Sequence, residues 1–200
     1  MNCRLIAFDL DGTFLDDYKK VPADNLHALE TAAHKGIIVV PASGRLYPYL
    51  PDEVKAQRKA DGLKTTIYTC CGPLHPNTFT FSPLAESEYI GLSAAARNYS
   101  GYLRWALFSW PEDPCKDSRF GKWLSGDTYL LYPEGSSLRF ERLIEGIQDY
   151  EKIRILKENA DPKTLAKIEA ILAPFKEIIT DESINASETV AAAKAALNKL

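Results

Sequence analysis

The chain has 200 residues, of which 46% are hydrophobic and 26% are charged. This length suits one domain with a sizeable core, or one domain and a small appendage. The net charge of −3 indicates no nucleic-acid partner, and no apolar run approaches the length of a membrane span. The N-terminus lacks the basic, then apolar, then small-residue order of a signal peptide, so we expect a cytoplasmic protein.

The cysteines show no spacing typical of a zinc site: they are Cys3, Cys70, Cys71 and Cys115. Adjacent Cys70 and Cys71 do not easily form a disulfide with each other. The sequence therefore predicts reduced thiols that behave as small, partly buried hydrophobic side chains.

The first part of the chain alternates between strand and helix patterns. "RLIAF" predicts a buried strand, and residues 21–36 predict a helix that ends at Gly36. A second strand is predicted over 37–45 and a polar helix over 51–62. This order predicts parallel strands joined by right-handed crossovers.

The alternation continues to the C-terminus. The patterns predict a strand, a helix, two strands and three helices, at 64–71, 82–99, 101–110, 127–133, 137–157, 165–175 and 187–200. Five strands, nearly all flanked by helices, indicate the α/β class.

The first strand runs into two carboxylates one residue apart, Asp9 and Asp11, within "FDLDGTFLDD". Residues two apart on an extended chain share a face, so both carboxylates can reach one phosphoryl group. With "ALETAAHKGIIVVPASGR", this segment resembles the first two motifs of the haloacid dehalogenase (HAD) superfamily, as found in its Cof-type phosphatases. The resemblance covers residues 1–57.

This resemblance implies a Mg²⁺-dependent phosphatase for small phosphate esters. Asp9 would be the nucleophile and Asp11 the general acid and base. Mg²⁺ would bind Asp9 and the Asp11 main-chain carbonyl. Thr13, Ser43 and Arg45 would bind the phosphate, and Thr13 would also position Asp11.

Two further parts of that superfamily's site, a downstream lysine and a late acidic pair, have no counterpart in a matching context. "SGDTYLLYPE" offers Gly126 and Asp127, but no second acid follows them. A metal would then have too few oxygen ligands. The alternative is that Asp9 and Asp11 are remnants on a scaffold strand.

Longer motifs after residue 64 carry a second resemblance. "YTCCGPLHPNTFTFSPLAE", "GYLRWALFSWPEDPCKDSRF", "GDTYLLYPEG" and "SSLRFERLIEGIQDYEKIRIL" are similar to the C-terminal part of glycoside hydrolase family 123 catalytic domains. The resemblance covers residues 64–200 and implies the last strands and closing helices of a (β/α)₈ barrel. It implies retaining hydrolysis of N-acetylgalactosaminides, assisted by the substrate's acetamido group.

The family's Asp–Glu catalytic pair belongs to an earlier strand that has no counterpart here. The adjacent acid pairs of this chain are Asp16–Asp17, Asp52–Glu53, Glu112–Asp113 and Asp181–Glu182. The resemblance implies that the chain retains a sugar-facing surface, which consists of Tyr68, Trp105, Trp110, Asp117 and Arg119. Core packing is the alternative role for the tryptophans, and a loop ion pair is the alternative for Asp117 and Arg119.

The two resemblances predict a junction near residues 55–64. A single domain over 1–200 would then comprise a HAD-like segment (1–57), a barrel-like segment (64–157) and C-terminal helices (158–200). Five strands are too few to close a barrel. The expected fold is therefore an open, five-stranded, mostly parallel sheet with helices on both faces, a flavodoxin/HAD-like half-barrel hybrid with a helical C-terminus.

The ends of these strands would bring acidic, polar and aromatic residues to one edge: Asp9, Asp11, Ser43, Tyr68, Trp110, Glu112, Asp113 and Glu134. Glu134 or Asp113 could then supply a missing metal oxygen. The sequence predicts a hydrolase-derived, glycosidase-like protein with a small sugar or sugar phosphate as partner, and leaves its oligomeric state open. The alternatives are a Mg²⁺-dependent phosphatase and a non-catalytic scaffold or chimera.

Overall fold

The structure of the protein, a computed structural model, describes residues 3–9, 13–18, 20–42, 64–176 and 185–200. The chain divides into two compact units, Met1–Arg45 and Leu46–Leu200. The predicted single domain and its three segments stay predictions. The helix predicted over 51–62 lies outside the described residues.

The first unit contains a parallel strand pair and a helix. β1 (Leu5–Asp9) pairs with β2 (Ile38–Ala42), with Leu5 opposite Ile38 and Asp9 opposite Ala42. α1 (Ala23–His34) lies between them in the chain and contacts β2. Gly36 follows α1 with a φ of 72°, a left-handed conformation that favours glycine at a helix end. The predicted parallel strands with an intervening helix are confirmed for this unit.

Side chains of the first unit hold the turn that follows β1. The rings of Phe8 and Phe14 are 4.6 Å apart, and the Asn25 side-chain amide donates to the Phe14 carbonyl at 2.8 Å. Asp16 Oδ1 accepts hydrogen bonds from the backbone N–H groups of Tyr18 and Lys20. Asp16 therefore closes a local turn.

The second unit combines a second strand pair with most of the helices. β3 (Thr66–Thr69) and β4 (Gly101–Arg104) are parallel, with Thr69 opposite Arg104. The helices are α2 (Leu84–Ala96), α3 (Leu138–Asn159), α4 (Pro162–Leu172) and α5 (Ala186–Leu197), with a 3₁₀ turn at Ala173–Phe175.

Polar N-caps fix where three of these helices begin. The side chains of Ser137, Asp161 and Asn185 each accept a hydrogen bond from a backbone N–H three residues later. Such caps satisfy a donor that the helix leaves unpaired. The long helix predicted over 137–157 is therefore confirmed, because Ser137 caps α3.

α2 is the central element of the second unit, and its residues from Glu86 to Ala96 are all buried. It packs against α3, α4 and α5. The core cluster combines Tyr89, Leu92, Ala95, Ala96, Ile153, Ile168, Leu172, Phe175, Ala186, Val190, Ala193 and Leu197. A helix that is apolar around most of its circumference can be stable only when other elements surround it.

Two glycines allow α2 and α3 to approach closely. A Cβ on Gly91 would lie 2.1 Å from the Gly146 carbonyl oxygen, and a Cβ on Gly146 would lie 2.6 Å from the Glu88 carbonyl oxygen. Backbone atoms on both sides leave no flexible side chain that could move away. The crossing therefore requires glycine at both positions.

The five-stranded sheet is the part of the predicted fold that the structure does not reproduce. The described residues form two separate two-stranded sheets, β1–β2 and β3–β4. β4 ends at Arg104, well before the predicted end at residue 110, and residues 127–133 contribute only isolated bridges.

Side chains explain why residues 127–133 do not extend a sheet. Arg104 Nη2 donates to the Asp127 carbonyl at 2.6 Å, and Ser137 Oγ donates to the Leu130 carbonyl at 2.6 Å. These contacts occupy acceptors that a strand ladder would use. Residues 126–130 are nonetheless buried. The apolar sequence pattern of this segment therefore reflects burial of its residues and not a strand.

Within the described part of the chain, the predicted helices on both faces of a sheet are likewise not seen for β3–β4. The face that carries Ile67 and Tyr102 packs against the cluster of Ile90, Leu130 and Leu143. On the opposite face, Leu103 is 43% exposed. None of the helices in the described ranges is long and apolar enough to span a membrane.

The close approach of α2 and α3 at their two glycines leads to a stability prediction. Gly91→Ala should lower the free energy of unfolding by about 3 kcal/mol, the upper end of the usual range for overpacking, because the new methyl group meets backbone. Urea unfolding followed by circular dichroism measures this change. Gly101→Ala is the control, since its Cβ would lie 4.0 Å from Thr66 Cγ2, an ordinary van der Waals distance. Equal stability of the two variants would contradict the close crossing.

Candidate functional site

The carboxyl ends of β3 and β4 bring three polar side chains together. Thr69 and Arg104 are opposite each other in the register, and Arg104 Nη1 donates to Thr69 Oγ1 at 3.3 Å. The Thr69 and Tyr102 hydroxyl oxygens are 2.6 Å apart. Parallel strands place such side chains at one sheet edge, which is where α/β proteins commonly bind ligands.

A buried ion pair lies at this edge. Arg104 Nη2 is 3.0 Å from Asp127 Oδ1, and the two side chains are 4% and 0% exposed. Burial raises the pKa of Asp127, and the Arg104 charge and hydrogen bonds from Trp105 and Arg104 oppose that rise. Removing two charges from water costs several kcal/mol per ion before their attraction offsets it. Loss of either partner would therefore leave the other charge buried and without a counterion.

Asn77 connects the ion pair to the loop that follows β3. Its side-chain oxygen accepts from Arg104 Nη1 at 3.4 Å, while its amide donates to the carbonyls of Cys70 and Pro73. Asn77 is fully buried. One amide side chain thus fixes the loop against the strand ends.

A histidine–carboxylate pair supports the same loop. His75 Nδ1 is 2.6 Å from Glu86 Oε1, and the Asn77 backbone N–H donates to Glu86 Oε2 at 2.9 Å. Glu86 belongs to the first turn of α2. The buried carboxylate therefore anchors the loop to the central helix.

Arg139 of α3 holds the other side of the edge. Its Nη1 donates to the carbonyls of Thr78 and Gly126, and its guanidinium carbon lies 5.4 Å from the centre of the Tyr129 ring. Burial lowers the pKa of Arg139. Gly126 has a φ of 77°, and a Cβ there would lie 2.7 Å from Arg139 Nη1, so the contact requires glycine.

Trp105 follows β4 directly and is 40% exposed. Its indole N–H donates to Asp127 Oδ1 at 3.4 Å, and its ring lies 4.8 Å from the Trp123 ring, inclined at 46°. Lys122 Nζ lies 5.4 Å from the Trp123 ring centre. The polar atom of Trp105 thus faces the protein, while part of its apolar ring faces solvent.

Trp110 has a similar arrangement at a second position. It is 38% exposed, its indole N–H donates to the Leu131 carbonyl at 2.7 Å, and its ring lies 6.2 Å from the Phe108 ring. The accessible fractions of Trp105 and Trp110 exclude complete core packing for either ring.

The remaining residues that the sequence predicts to face a sugar differ in their surroundings. Tyr68 is partly buried in β3. Asp117 and Arg119 form a two-pronged ion pair with each other, with Arg119 Nε and Nη2 at 2.8 and 2.7 Å from the two carboxylate oxygens. This pairing lowers the pKa of Asp117 to about 2. Sugar contact by these three residues stays a prediction.

The phosphatase-type residues are only partly described. Asp9 is exposed at the carboxyl end of β1, and Thr13 is exposed in the following turn. Asp11, Ser43 and Arg45 lie outside the described residues. Within the described ranges, no group of three or more histidine, cysteine, aspartate or glutamate side chains is placed to hold a metal ion. Mg²⁺ binding at Asp9 and Asp11 stays a prediction, because Asp11 lies outside the described residues.

The acids proposed for the common edge have local or unassigned roles. Asp113 pairs with Lys116 at 2.8 Å, and its Oδ1 accepts from the backbone N–H groups of Cys115 and Lys116. Glu112 and Glu134 are exposed. Asp113 therefore closes a turn.

The residues that build the edge were absent from the predicted site. The predicted site does not include Arg104, Asn77, His75 or Glu86, and the sequence indicates only a metal-ligand role for Asp127. One signal was available: Arg104 is a charged residue within the strand predicted over 101–110, and a charge in a buried environment needs a partner. The sequence could not identify Asp127 as that partner, because Asp127 lies 23 positions after Arg104 in the chain.

The ion pair leads to a second prediction. Asp127→Ala should lower the free energy of unfolding by about 3–5 kcal/mol, since Arg104 would stay buried without its counterion. Urea unfolding measures the loss. Asp117→Ala, which removes the carboxylate of an exposed aspartate–arginine pair, is the matched control and should change stability little. Similar losses in the two variants would contradict a buried, interdependent pair.

Comparison with known proteins identifies the family. The family model "Glycoside hydrolase 123, catalytic domain" matches residues 16–156. The chain is similar to a solved family 123 glycoside hydrolase from Clostridium perfringens, whose structural analysis concerns glycolipid glycan hydrolysis. The identity is 23% and the TM-score 0.75, over 98% of this chain and 40% of that chain. No curated protein matches the chain.

The family match has a consequence for the first part of the chain. It includes residues 16–57, for which the opening motifs predict a phosphatase-like segment. Neither comparison supports that segment or a junction near residues 55–64.

This chain spans less than half the length of the solved relative, and their identity shows a shared fold alone. The family model, in contrast, matches more than two thirds of the chain. The chain therefore belongs to the glycoside hydrolase 123 catalytic-domain family.

Proposed function

We propose that the chain binds the sugar part of a glycan through the exposed ring of Trp105. The observation that carries this proposal is that Asp127, fully buried, accepts the indole N–H of a ring that is 40% exposed. An indole whose polar atom is already bonded presents mainly apolar surface. Such a surface suits the C–H face of a sugar ring, and a few polar groups would then fix the orientation.

The surroundings of Trp105 support this role. Trp123 packs beside its ring, and Asp127 is held in turn by Arg104. A side chain that is fixed before binding loses less conformational entropy when the ligand arrives. Other exposed aromatic side chains occur nearby in the sequence: Phe108, Trp110 and Phe120.

The proposed ligand is a glycan that ends in an N-acetylgalactosaminide. The family resemblance implies this sugar, and the Clostridium perfringens relative is described in terms of glycolipid glycan hydrolysis. Hydrolysis itself is not part of the proposal. Asp16 and Asp113, each a member of an adjacent acid pair, are used in local turns, while Asp52–Glu53 and Asp181–Glu182 lie outside the described residues.

A binding experiment tests the proposal. Trp105→Ala should weaken binding of N-acetylgalactosamine at least about tenfold, equivalent to about 1.4 kcal/mol, because the variant loses the apolar platform. Trp105→Phe retains a ring and should lose less. Isothermal titration calorimetry measures both dissociation constants.

Two further variants make that result interpretable. Tyr18→Ala removes an aromatic ring that is 84% exposed in the first unit, and should bind like the unchanged chain. Trp110→Ala tests the second exposed indole. A loss confined to Trp110→Ala, or no loss in Trp105→Ala, would contradict a site at Trp105.

The phosphatase is a second candidate, favoured by one observation. Asp9 is exposed at the carboxyl end of the parallel β1–β2 pair, a position that suits a nucleophile. The described residues provide no set of metal ligands around it. We therefore expect no release of p-nitrophenol from its phosphate ester, with Mg²⁺, above an Asp9→Asn control. Mg²⁺-dependent release that Asp9→Asn abolishes would establish the phosphatase instead.

A further inference from the structure

Two adjacent cysteines form a thiol pair at the end of β3. Cys70 and Cys71 are both free thiols, and their sulfur atoms are 3.7 Å apart. Neighbouring residues of a strand direct their side chains to opposite faces. β3 ends at Thr69, and the bend that follows brings both sulfurs to the same side.

Backbone hydrogen bonds hold this bend. The Cys70 N–H donates to the Gly72 carbonyl at 3.2 Å, and the Cys70 carbonyl accepts from the Asn77 side chain at 2.8 Å. Asn77 is buried and is also bonded to Arg104. The position of the two sulfurs is therefore tied to the most buried part of the edge. Cys71 is exposed and Cys70 is partly exposed, so a reagent can reach the pair.

We propose that Cys70 and Cys71 form a two-sulfur binding site for organic compounds of trivalent arsenic. The geometry supplies two thiols and, within the described residues, no third histidine, cysteine or carboxylate to complete a metal site. Zinc usually requires four ligands, whereas an arsenic atom that already carries one carbon substituent needs only two thiolates. Two thiol donors therefore suit a monosubstituted arsenic compound better than zinc.

The reaction with an arsenoxide is a condensation without oxidation or reduction. Two As–S bonds form and the As=O bond breaks. The two thiol protons go to the oxygen, which leaves as water. Burial and the neighbouring Cys70 raise the pKa of the Cys71 thiol. Reactions that need a free thiolate are correspondingly slowed at neutral pH.

Phenylarsine oxide is a suitable probe for the full chain. After reduction, the folded chain should acquire one phenylarsenic group in intact-mass spectra. The adduct should survive excess 2-mercaptoethanol, a monothiol, and should be removed by 2,3-dimercaptopropanol, a dithiol. Cys70→Ser and Cys71→Ser should each weaken binding about a hundredfold or more, because the second bond is made at high effective concentration.

Matched variants of the other cysteines serve as controls. Cys3→Ser and Cys115→Ser remove exposed thiols outside the pair and should bind like the unchanged chain. Circular dichroism checks that all four variants fold. The proposal would be overturned by an adduct on Cys3 or Cys115, by full binding in Cys71→Ser, or by displacement with the monothiol. A chain that binds only after unfolding in urea would also overturn it. None of these outcomes depends on sugar binding at Trp105.

Discussion

The second unit depends on the close approach of α2 and α3 at Gly91 and Gly146. Their backbones meet without intervening side chains, so α2 can be surrounded by α3, α4 and α5. This arrangement buries Glu86 in the first turn of α2 and Arg139 in the first turn of α3. Both charged groups then bond to the loops beside β3 and β4. The helix crossing is thus the structural basis of the candidate site.

Hydrogen bonds between buried polar groups connect these helices to the surface of the candidate site. Glu86 holds the Asn77 backbone, Asn77 and Asp127 bond to Arg104, and Asp127 orients Trp105. A buried polar network gives a unique geometry only when its members have partners. The indole N–H of Trp105 is thus connected to the buried network through Asp127, and a binding surface benefits from such support.

Sequence patterns predicted the elements whose signals are local. α3 begins where Ser137 caps it, and Gly36 marks the end of α1, because caps and glycines act within a few residues. The sheet was not predictable in this way. Residues 127–133 have an apolar strand pattern, but the distant Arg104 and the nearby Ser137 bond to two of their carbonyls. The Arg104–Asp127 pair was missed for the same reason, since pairing between distant charges leaves no local pattern.

The environments of three carboxylates in the second unit bear on why the proposed sugar binding is separate from hydrolysis. A glycosidase needs carboxylates that are free to exchange protons or attack the sugar. Asp113 closes a turn, Asp117 is paired with Arg119, and Asp127 is buried against Arg104. Each acid stabilises the structure around an aromatic ring or a loop. In these positions carboxylates organise a surface for a ligand, and a sugar ring on Trp105 would meet apolar indole before it met any of these carboxylates.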